Sequence, residues 1–341
     1  MKNIFQDKII LVTGGVGSIG SEIVSQLLKC NPKQIRIFDN RETELFHMQH
    51  KLDNPNLRFF VGDIRDKERL KMAMENVDII FHAAALKHVP LCEYNPFEAV
   101  KTNVYGTQNV IEAALSENVE KVINISTDKV TNAINTMGAT KLLAERLIVS
   151  AQCYKGNKRT VFCSVRFGNV VGSRGSVIDL FEKQISRGSV VTLTNPEMTR
   201  FIMTTAQAVN LVLEAAEMVQ GGETFILKMP VFKLKDLCEI SIEKIAPKYK
   251  KNPKDVEIKV VGLRPGEKMH ESLMTEEESK NALETDKMFI MLPEILLIRI
   301  KDIEKRYNGA KRTGKATYES DKEKPLNKQQ LKEILTKEKI L

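Results

Sequence analysis

The sequence predicts an α/β protein, a doubly wound parallel sheet followed by a smaller C-terminal α/β lobe. Short apolar, β-branched runs recur through the first half, at Lys8–Thr13, Gln34–Phe38, Leu57–Val61, Val77–His82, Lys121–Ile125 and Arg159–Arg166. Stretches with helical apolar spacing separate them, and regular strand–helix alternation builds parallel sheets. After Arg166 the runs shorten and the alternation loosens. The expected division is therefore 1–168 as a first domain, 169–300 as a second lobe, and 301–341 as a basic tail, partly helical or mobile.

The first run, Lys8 to Thr13, reads as a buried strand. It meets Gly14-Gly15-Val16-Gly17-Ser18-Ile19-Gly20 and then a helical stretch from Ser21 to Leu28. Strand, glycine loop and helix together are the setting of a Rossmann dinucleotide fingerprint. Positions without side chains let the backbone approach a pyrophosphate, whose charge sits at the helix N-terminus. The spacing G-x-x-G-x-x-G is one residue wider than the common form, and the physics is shared. Gly14, Gly17, Ser18, Ile19 and Gly20 are thus candidate cofactor contacts.

The second strand ends in Asp39, where an acid suits the two hydroxyls of an adenosine ribose. Asp39 could equally cap a helix from Glu42 onward. Arg41 could face a 2′-phosphate, but Asp39 would repel that group, so NAD is favoured over NADP. The third strand ends at Gly62-Asp63-Ile64, with Asp63 placed to reach an adenine edge. The fourth ends in Ala83-Ala84-Ala85, small residues that let the backbone lie against a flat cofactor. Lys87 and His88 follow, and His88 either faces a ligand or packs within its loop. A helix over 96–116 leads to the fifth strand.

That strand delivers Ser126-Thr127-Asp128-Lys129, and Lys141 follows in Met137-Gly138-Ala139-Thr140-Lys141, on a helix expected over 137–151. An acid and an amine stand side by side at the C-terminal edge of a parallel sheet, where ligands bind. The plain alternative is a surface ion pair, worth little. Farther on, Asn169 and the loop holding Ser173 and Arg174 precede a helix expected over 177–186, and amides at a helix start suit a diphosphate. Arg200 and Arg264 carry guanidinium groups that match phosphate oxygens in bidentate fashion. Surface ion pairing for Arg200 and a simple turn at Pro265-Gly266 are the alternatives.

Composition narrows the classes. The formal charge is +8, but residues 301–341 hold twelve Lys/Arg against seven Asp/Glu, so most of the excess sits in the tail. There is no tryptophan and no aromatic–basic interleaving, so a solvated tail is expected and not a nucleic-acid surface. Five scattered cysteines and five histidines show no metal spacing, and no metal is expected. No run approaches the roughly 20 apolar residues that span a bilayer. The N-terminus has no signal-peptide layout. A cytoplasmic protein without a membrane partner is the expectation.

These segments resemble the extended short-chain dehydrogenase/reductase family, and within it the nucleotide-sugar 4,6-dehydratases acting on UDP-N-acetylglucosamine. The likeness rests on the glycine loop, Ala83 to Pro90, Ser126 to Lys129, Met137 to Lys141, Arg166 to Ser176 and Arg264-Pro265-Gly266-Glu267-Lys268-Met269-His270-Glu271. One departure matters. The broad family carries Tyr-x-x-x-Lys, and here the tyrosine position is Met137, which carries no titratable proton. That methionine is similar to the branch retaining configuration at C5. The resemblance implies bound NAD, a UDP-sugar substrate, and a homodimer or larger assembly through the helices near 96–116 and 137–151. It implies Lys129 as base at C5, with a lowered pKa supplied by burial and Lys141, and Asp128 as acid at O6, with a raised one. Thr127 would hydrogen-bond the C4 oxygen, and Lys141 would hold the nicotinamide ribose. Lys87, His88, Asn169, Ser173, Arg174, Arg200, Arg264 and Glu267 would face the nucleotide sugar.

Overall fold

The computed structural model describes residues 3–171, 177–263, 266–293 and 303–337. Six parallel strands form its centre: β1 (Ile9–Thr13), β2 (Gln34–Asp39), β3 (Leu57–Val61), β4 (Ile79–His82), β5 (Lys121–Ile125) and β6 (Val161–Arg166). They lie in the order β3-β2-β1-β4-β5-β6. Ile10, Leu11 and Val12 have no accessible surface, so both faces of β1 are covered, as a parallel sheet flanked by helices requires. The order reverses between β1 and β4, whose register pairs Thr13 with His82. The crevice beyond those two strand ends is the expected ligand site.

The expected boundary at 168 does not separate two sheets. After β7 (Asn169–Val171), β8 (Val190–Leu193) and β9 (Thr199–Thr204), the chain returns to the centre. There β10 (Thr224–Leu227) adds to β6 in parallel. β11 (Val231–Lys233), β12 (Glu257–Val260) and β13 (Ser272–Met274) follow in the outer lobe. β14 (Ala282–Glu284), β15 (Met288–Met291) and β16 (Lys311–Arg312) then extend the same sheet antiparallel, to ten strands. The small lobe keeps a three-stranded sheet, β11-β9-β7, and the parallel pair β12-β8.

Much of the expected mobile tail is docked. Tyr307, Tyr318 and Ser320 are buried, and β17 (Tyr318–Glu319) pairs with β13. The helix Lys328–Lys337 buries Leu331 and Leu335 in the core of the small lobe. Its lysines point outward, where Lys328 pairs with Glu239 and Glu243. Charge composition thus describes the surface of this segment, and its apolar stripe, Leu331 and Leu335, is what docks. The helix expected over 96–116 exists with an internal change of pitch: Pro96–Ala99 and Gly106–Ser116 are α-helical, and Val100–Tyr105 between them is a π-turn. Such turns cluster at functional sites.

Candidate active site

A cleft of about 1220 Å³ runs from the glycine loop, across the ends of β1, β4 and β5, to the small lobe. Its first half is lined by Gly14, Gly17, Ser18, Ile19, Gly20, Asp39, Asp63, Ile64, Ala83, Ala84 and Lys141. Gly14 has φ +66°, and a Cβ there would lie 2.7 Å from the Cα of Ala84. Two loops therefore close on each other only because one lacks a side chain. The first helix begins at Ser18, directly behind this turn. A cradle of bare backbone at a helix N-terminus fits the pyrophosphate of a dinucleotide.

Asp39 does not cap the helix Glu42–Leu52, whose cap residue is Arg41 with no side-chain bond. The Asp39 carboxylate instead accepts the amide of Val16 at 3.2 Å, which ties the end of β2 to the glycine loop. It also pairs with Arg41 Nε at 3.2 Å. Asp63 is held by Arg65, and these bonds draw its carboxyl below the usual range despite partial burial. His82 bridges Thr13 (2.7 Å) and Thr107 (3.1 Å). Thr107 donates to the Asn103 carbonyl, so it accepts from Nε2 of a neutral imidazole. Burial pushes His82 down to about 3, which fixes that neutral state. Asn103, inside the π-turn, accepts from the Leu86 amide at 2.8 Å and donates to the Leu86 carbonyl and to Thr140. His82 and Asn103 thus hold the loop bearing Ala83 and Ala84. Sequence reasoning passed over both, and the helix spacing of Asn103 gave no sign of the π-turn.

The amine, with Thr127, lines the middle of the cleft, and the acid lies buried behind them. Asp128 is buried, and Lys129 Nζ lies 2.9 Å from Asp128 Oδ1. About a third of the Lys129 side chain (34%) is accessible, so the amine reaches the cleft. Thr127 Oγ1 donates to Asp128 at 2.7 Å. A Cβ on Gly138 would meet the Lys129 carbonyl at 2.4 Å, so the helix Thr136–Tyr154 can start this close to the Asp128 turn only with glycine there. That helix carries Lys141, whose Nζ donates to the Ile125 carbonyl at 2.7 Å, and burial lowers its pKa to about 8. Met137, at the tyrosine position, is buried against Cys92 and Ala99.

The expected pKa directions for the pair are reversed. Burial opposes charge on Asp128, but the adjacent ammonium and hydrogen bonds from Glu271, Thr127 and Lys129 hold its carboxyl below the ordinary value. Burial alone would lower Lys129, and Asp128 and Glu271 outweigh it, so the amine is held as ammonium. Lys141 is not among the groups that shift it. The group pushed up is Glu271, to about 8, by burial and by the Asp128 charge. Glu271 lies 4.0 Å from Lys129 Nζ and 3.2 Å from Arg200 Nε. With its amide turned to donate, Asn169 sits 2.8 and 2.7 Å from the two Glu271 oxygens. Sequence reasoning quoted Glu271 at the end of its segment and gave it no role.

The second half of the cleft is lined in part by Lys87, His88, Asn169, Arg200 and Glu267. His88 is exposed to the cleft, so it is not a packed loop histidine. Arg200 is not a free bidentate clamp. Its guanidinium is buried and donates to the carbonyls of Thr199, Met269 and Lys268, while Nε faces Glu271. It organises the 267–271 segment and keeps little donor capacity for a phosphate. Ser173, Arg174 and Arg264 lie outside the described residues. Among the described residues there is no cluster of three metal-ligating side chains and no helix long and apolar enough to cross a membrane.

The family described as polysaccharide biosynthesis protein matches residues 10–293. The chain belongs to that family. A Methanocaldococcus jannaschii relative, named as an uncharacterized membrane protein, is 56% identical and covers 98% of this chain and 97% of its own. A Campylobacter jejuni relative named as a UDP-N-acetylglucosamine 4,6-dehydratase (inverting) is 43% identical over 86% of this chain and 85% of its own. A Rickettsia conorii relative named as a UDP-glucose 4-epimerase is also 43% identical, over 82% and 81%. Among solved structures, Pen from Bacillus thuringiensis superposes with a TM-score of 0.90 at 46% identity, covering 99% of this chain and 100% of that one. This polysaccharide biosynthesis family member therefore matches relatives of both dehydratase and epimerase name over more than four fifths of its length.

Proposed function

We propose that the protein is an NAD-dependent nucleotide-sugar 4,6-dehydratase that converts UDP-N-acetylglucosamine to the 6-deoxy-4-keto sugar with retention at C5. The relatives named as dehydratase and epimerase support an enzyme acting on a nucleotide sugar. The observation that carries the dehydratase reading is the Asp128–Lys129 pair at 2.9 Å, whose lysine lines the cleft between its two halves. A 4-epimerase needs only redox at C4, whereas loss of water across C5 and C6 needs both an acid and a base at that ring edge.

Bound NAD would supply the redox chemistry, a hydride removed from C4 and given back at C6. The side chains manage the protons. Asp128, held as carboxylate, accepts the proton of the C4 hydroxyl, a task Met137 cannot perform. Now neutral, Asp128 delivers that proton to the departing O6. Lys129 removes the C5 proton once the 4-ketone has acidified it. Lys141 holds the nicotinamide ribose, Thr127 the C4 oxygen, and Asp39 the adenosine ribose, which favours NAD over NADP. Lys87, His88, Asn169 and Glu267 face the nucleotide sugar, with Arg200 contributing through the segment it braces.

Retention rests on Met137. The alternative is inversion, favoured by the name of the Campylobacter relative. Incubation with UDP-N-acetylglucosamine in D2O, read by proton NMR, separates them. A gluco-configured product with deuterium at C5 is expected. An altro product would establish inversion, and no 4-keto product at all would remove the dehydratase reading. The exposed Leu91, Tyr94, Phe97, Tyr105 and Leu143 on or beside the helices near 96–116 and 137–151 support a homo-oligomer through that face. We read the enzyme as cytoplasmic.

A further inference from the structure

The dehydratase scheme leaves one proton unaccounted for. Lys129 must reach C5 as a free amine, yet the structure holds it as ammonium beside Asp128. Once Asp128 has accepted the O4 proton, the largest electrostatic support for that ammonium is gone. The proton then needs an acceptor. Glu271 is a second carboxyl near the amine: its Oε1 lies 4.0 Å from Lys129 Nζ, and its side chain is 8% exposed.

Glu271 is also held in place from several directions. Its oxygens face Asn169 from β7 and Arg200 from β9. Its amide donates to Ser320 Oγ at 2.9 Å, and its carbonyl accepts from the Ser320 amide at 2.8 Å. The charged groups around it are Asp128 and Lys129 from the turn after β5, Arg200 from β9, and Lys268 and Glu267 from its own segment. A carboxyl so buried and so braced, with one oxygen aimed at the catalytic amine, is not explained by surface ion pairing.

We propose that Glu271 takes the ammonium proton of Lys129, frees the amine that attacks the C5 proton, and returns the proton at the end of the cycle. This step rests on the dehydratase reading. The competent form, which grows as pH approaches 8 and Glu271 gives up its proton, begins with Asp128 and Glu271 as carboxylates and Lys129 as ammonium. As C4 is oxidised, the O4–H bond breaks and its proton passes to Asp128. One N–H bond of Lys129 then breaks and an O–H bond forms on Glu271. The freed amine takes the C5 proton; the C5–H electron pair becomes the C5–C6 double bond as the C6–O6 bond breaks. The Asp128 proton joins O6, and water leaves. The two electrons taken from C4 return as hydride at C6, so no outside oxidant is needed. Lys129 then reprotonates C5 and recovers its own proton from Glu271. All three groups end as they began.

Glu271→Gln tests this, because it keeps the size and shape of the carboxyl and cannot take a proton. Three readouts are taken on the full-length enzyme loaded with NAD: reduced nicotinamide formed on mixing with UDP-N-acetylglucosamine, product formed, and deuterium entering C5 of pre-made 4-keto product in D2O. The proposal expects cofactor reduction to persist while C5 exchange and turnover fall about 10²-fold, within the range for removing a proton-transfer group. Wild-type C5 exchange should rise with pH toward 8, and the variant should be flat. Glu271→Asp, which keeps a carboxyl, should restore part of the exchange and its pH dependence, and a merely structural role would not produce that pattern. C5 exchange within threefold of wild type in Glu271→Gln would overturn the proposal, as would loss of cofactor reduction to the same degree as loss of exchange. Wild-type enzyme that makes no 4-keto product would overturn the dehydratase reading and this step with it.

Discussion

Two buried charge clusters in this molecule each set cations among carboxylates and reach opposite states. In the first, Arg166 is enclosed by Glu145 at 2.5 Å and Glu278 at 3.0 Å. It also donates to the Leu273 carbonyl and to Thr131, and Ser126 donates to Glu145. The guanidinium meets several acceptors, so its pKa is driven up and that of Glu278 down despite their burial. In the second, Asp128 and Glu271 compete for Lys129 and Arg200, and the backbone carbonyls already occupy most of Arg200. Glu271 is left with too little compensation and holds a proton up to about pH 8. A cluster that satisfies its charges locks the fold, and one that leaves a charge contested can move a proton. Perturbed groups of that kind mark functional sites.

The comparison breaks most directly at Lys129. Lys129→Ala should lower turnover by about 10³-fold or more, within the range for a general base, and cost less stability than Glu145→Ala, because a stranded Asp128 can take up a proton and a guanidinium cannot lose one. Activity close to wild type would make the pair a surface ornament. Glu145→Ala should show the reverse pattern. It strands a buried guanidinium, and breaking such a pair costs about 3–5 kcal/mol. Denaturant unfolding of the apo protein measures it, and a loss below about 1 kcal/mol would mean that Glu278 alone satisfies Arg166.

A smaller effect sharpens the contrast through pH. Glu271 has a folded pKa near 8 against an ordinary value of 4.5. Between those values the folded state binds the proton and the unfolded state does not. Its contribution to stability is therefore complete below 4.5 and declines as pH rises toward 8, by at most about 1.4 kcal/mol per unit. Lys141 has the opposite sign: its folded value near 8 lies below the ordinary 10.5, so stability rises with pH across that interval. Glu271→Gln should flatten the first slope and leave the second. Unchanged slopes between pH 5 and 8 would mean that Glu271 is ionised throughout.

The sequence made one half of the molecule far more legible than the other, and the reason is the range of the contacts. From Ile9 to Arg166 each strand pairs with partners whose alternation is visible locally, and glycine loop, Asp39 and Asp128–Lys129 all lie at strand ends. The expected runs match the strands to within two residues. Beyond Arg166 the neighbours are remote in the chain. β10 joins β6, β17 joins β13, and Met229 is bonded through both its amide and its carbonyl to the hydroxyl of Tyr318. The tail reads as partly helical or mobile, and its spacing does not name the lobe that Leu331 and Leu335 pack into or the pairing of β17 with β13. The pKa directions of Asp128 and Lys129 were misjudged for a related reason. Their mutual attraction is the largest influence against burial, and Glu271, which adds to it on both groups, is adjacent only in space.

The smallest predicted effect tests that remote bracing. Ser320 is buried, and its hydroxyl lies 2.8 Å from Thr199 Oγ1 and accepts the Glu271 amide. Thr199 in turn contacts His270 Nδ1 at 2.8 Å, so one tail residue ties β9 to the segment that carries Glu271. Ser320→Ala leaves the Glu271 amide and Thr199 short of a partner, which costs about 1–3 kcal/mol for a buried group. Cofactor binding should not change, because the glycine loop lies in the other half of the cleft. C5 exchange should fall severalfold, with its pH dependence intact, since the carboxyl remains but is held less firmly. If the tail merely covers the lobe, Ser320→Ala will lower stability and leave C5 exchange untouched. If it aligns the proton acceptor, both will fall together, and a second substitution at Glu271 will add little to the loss of exchange.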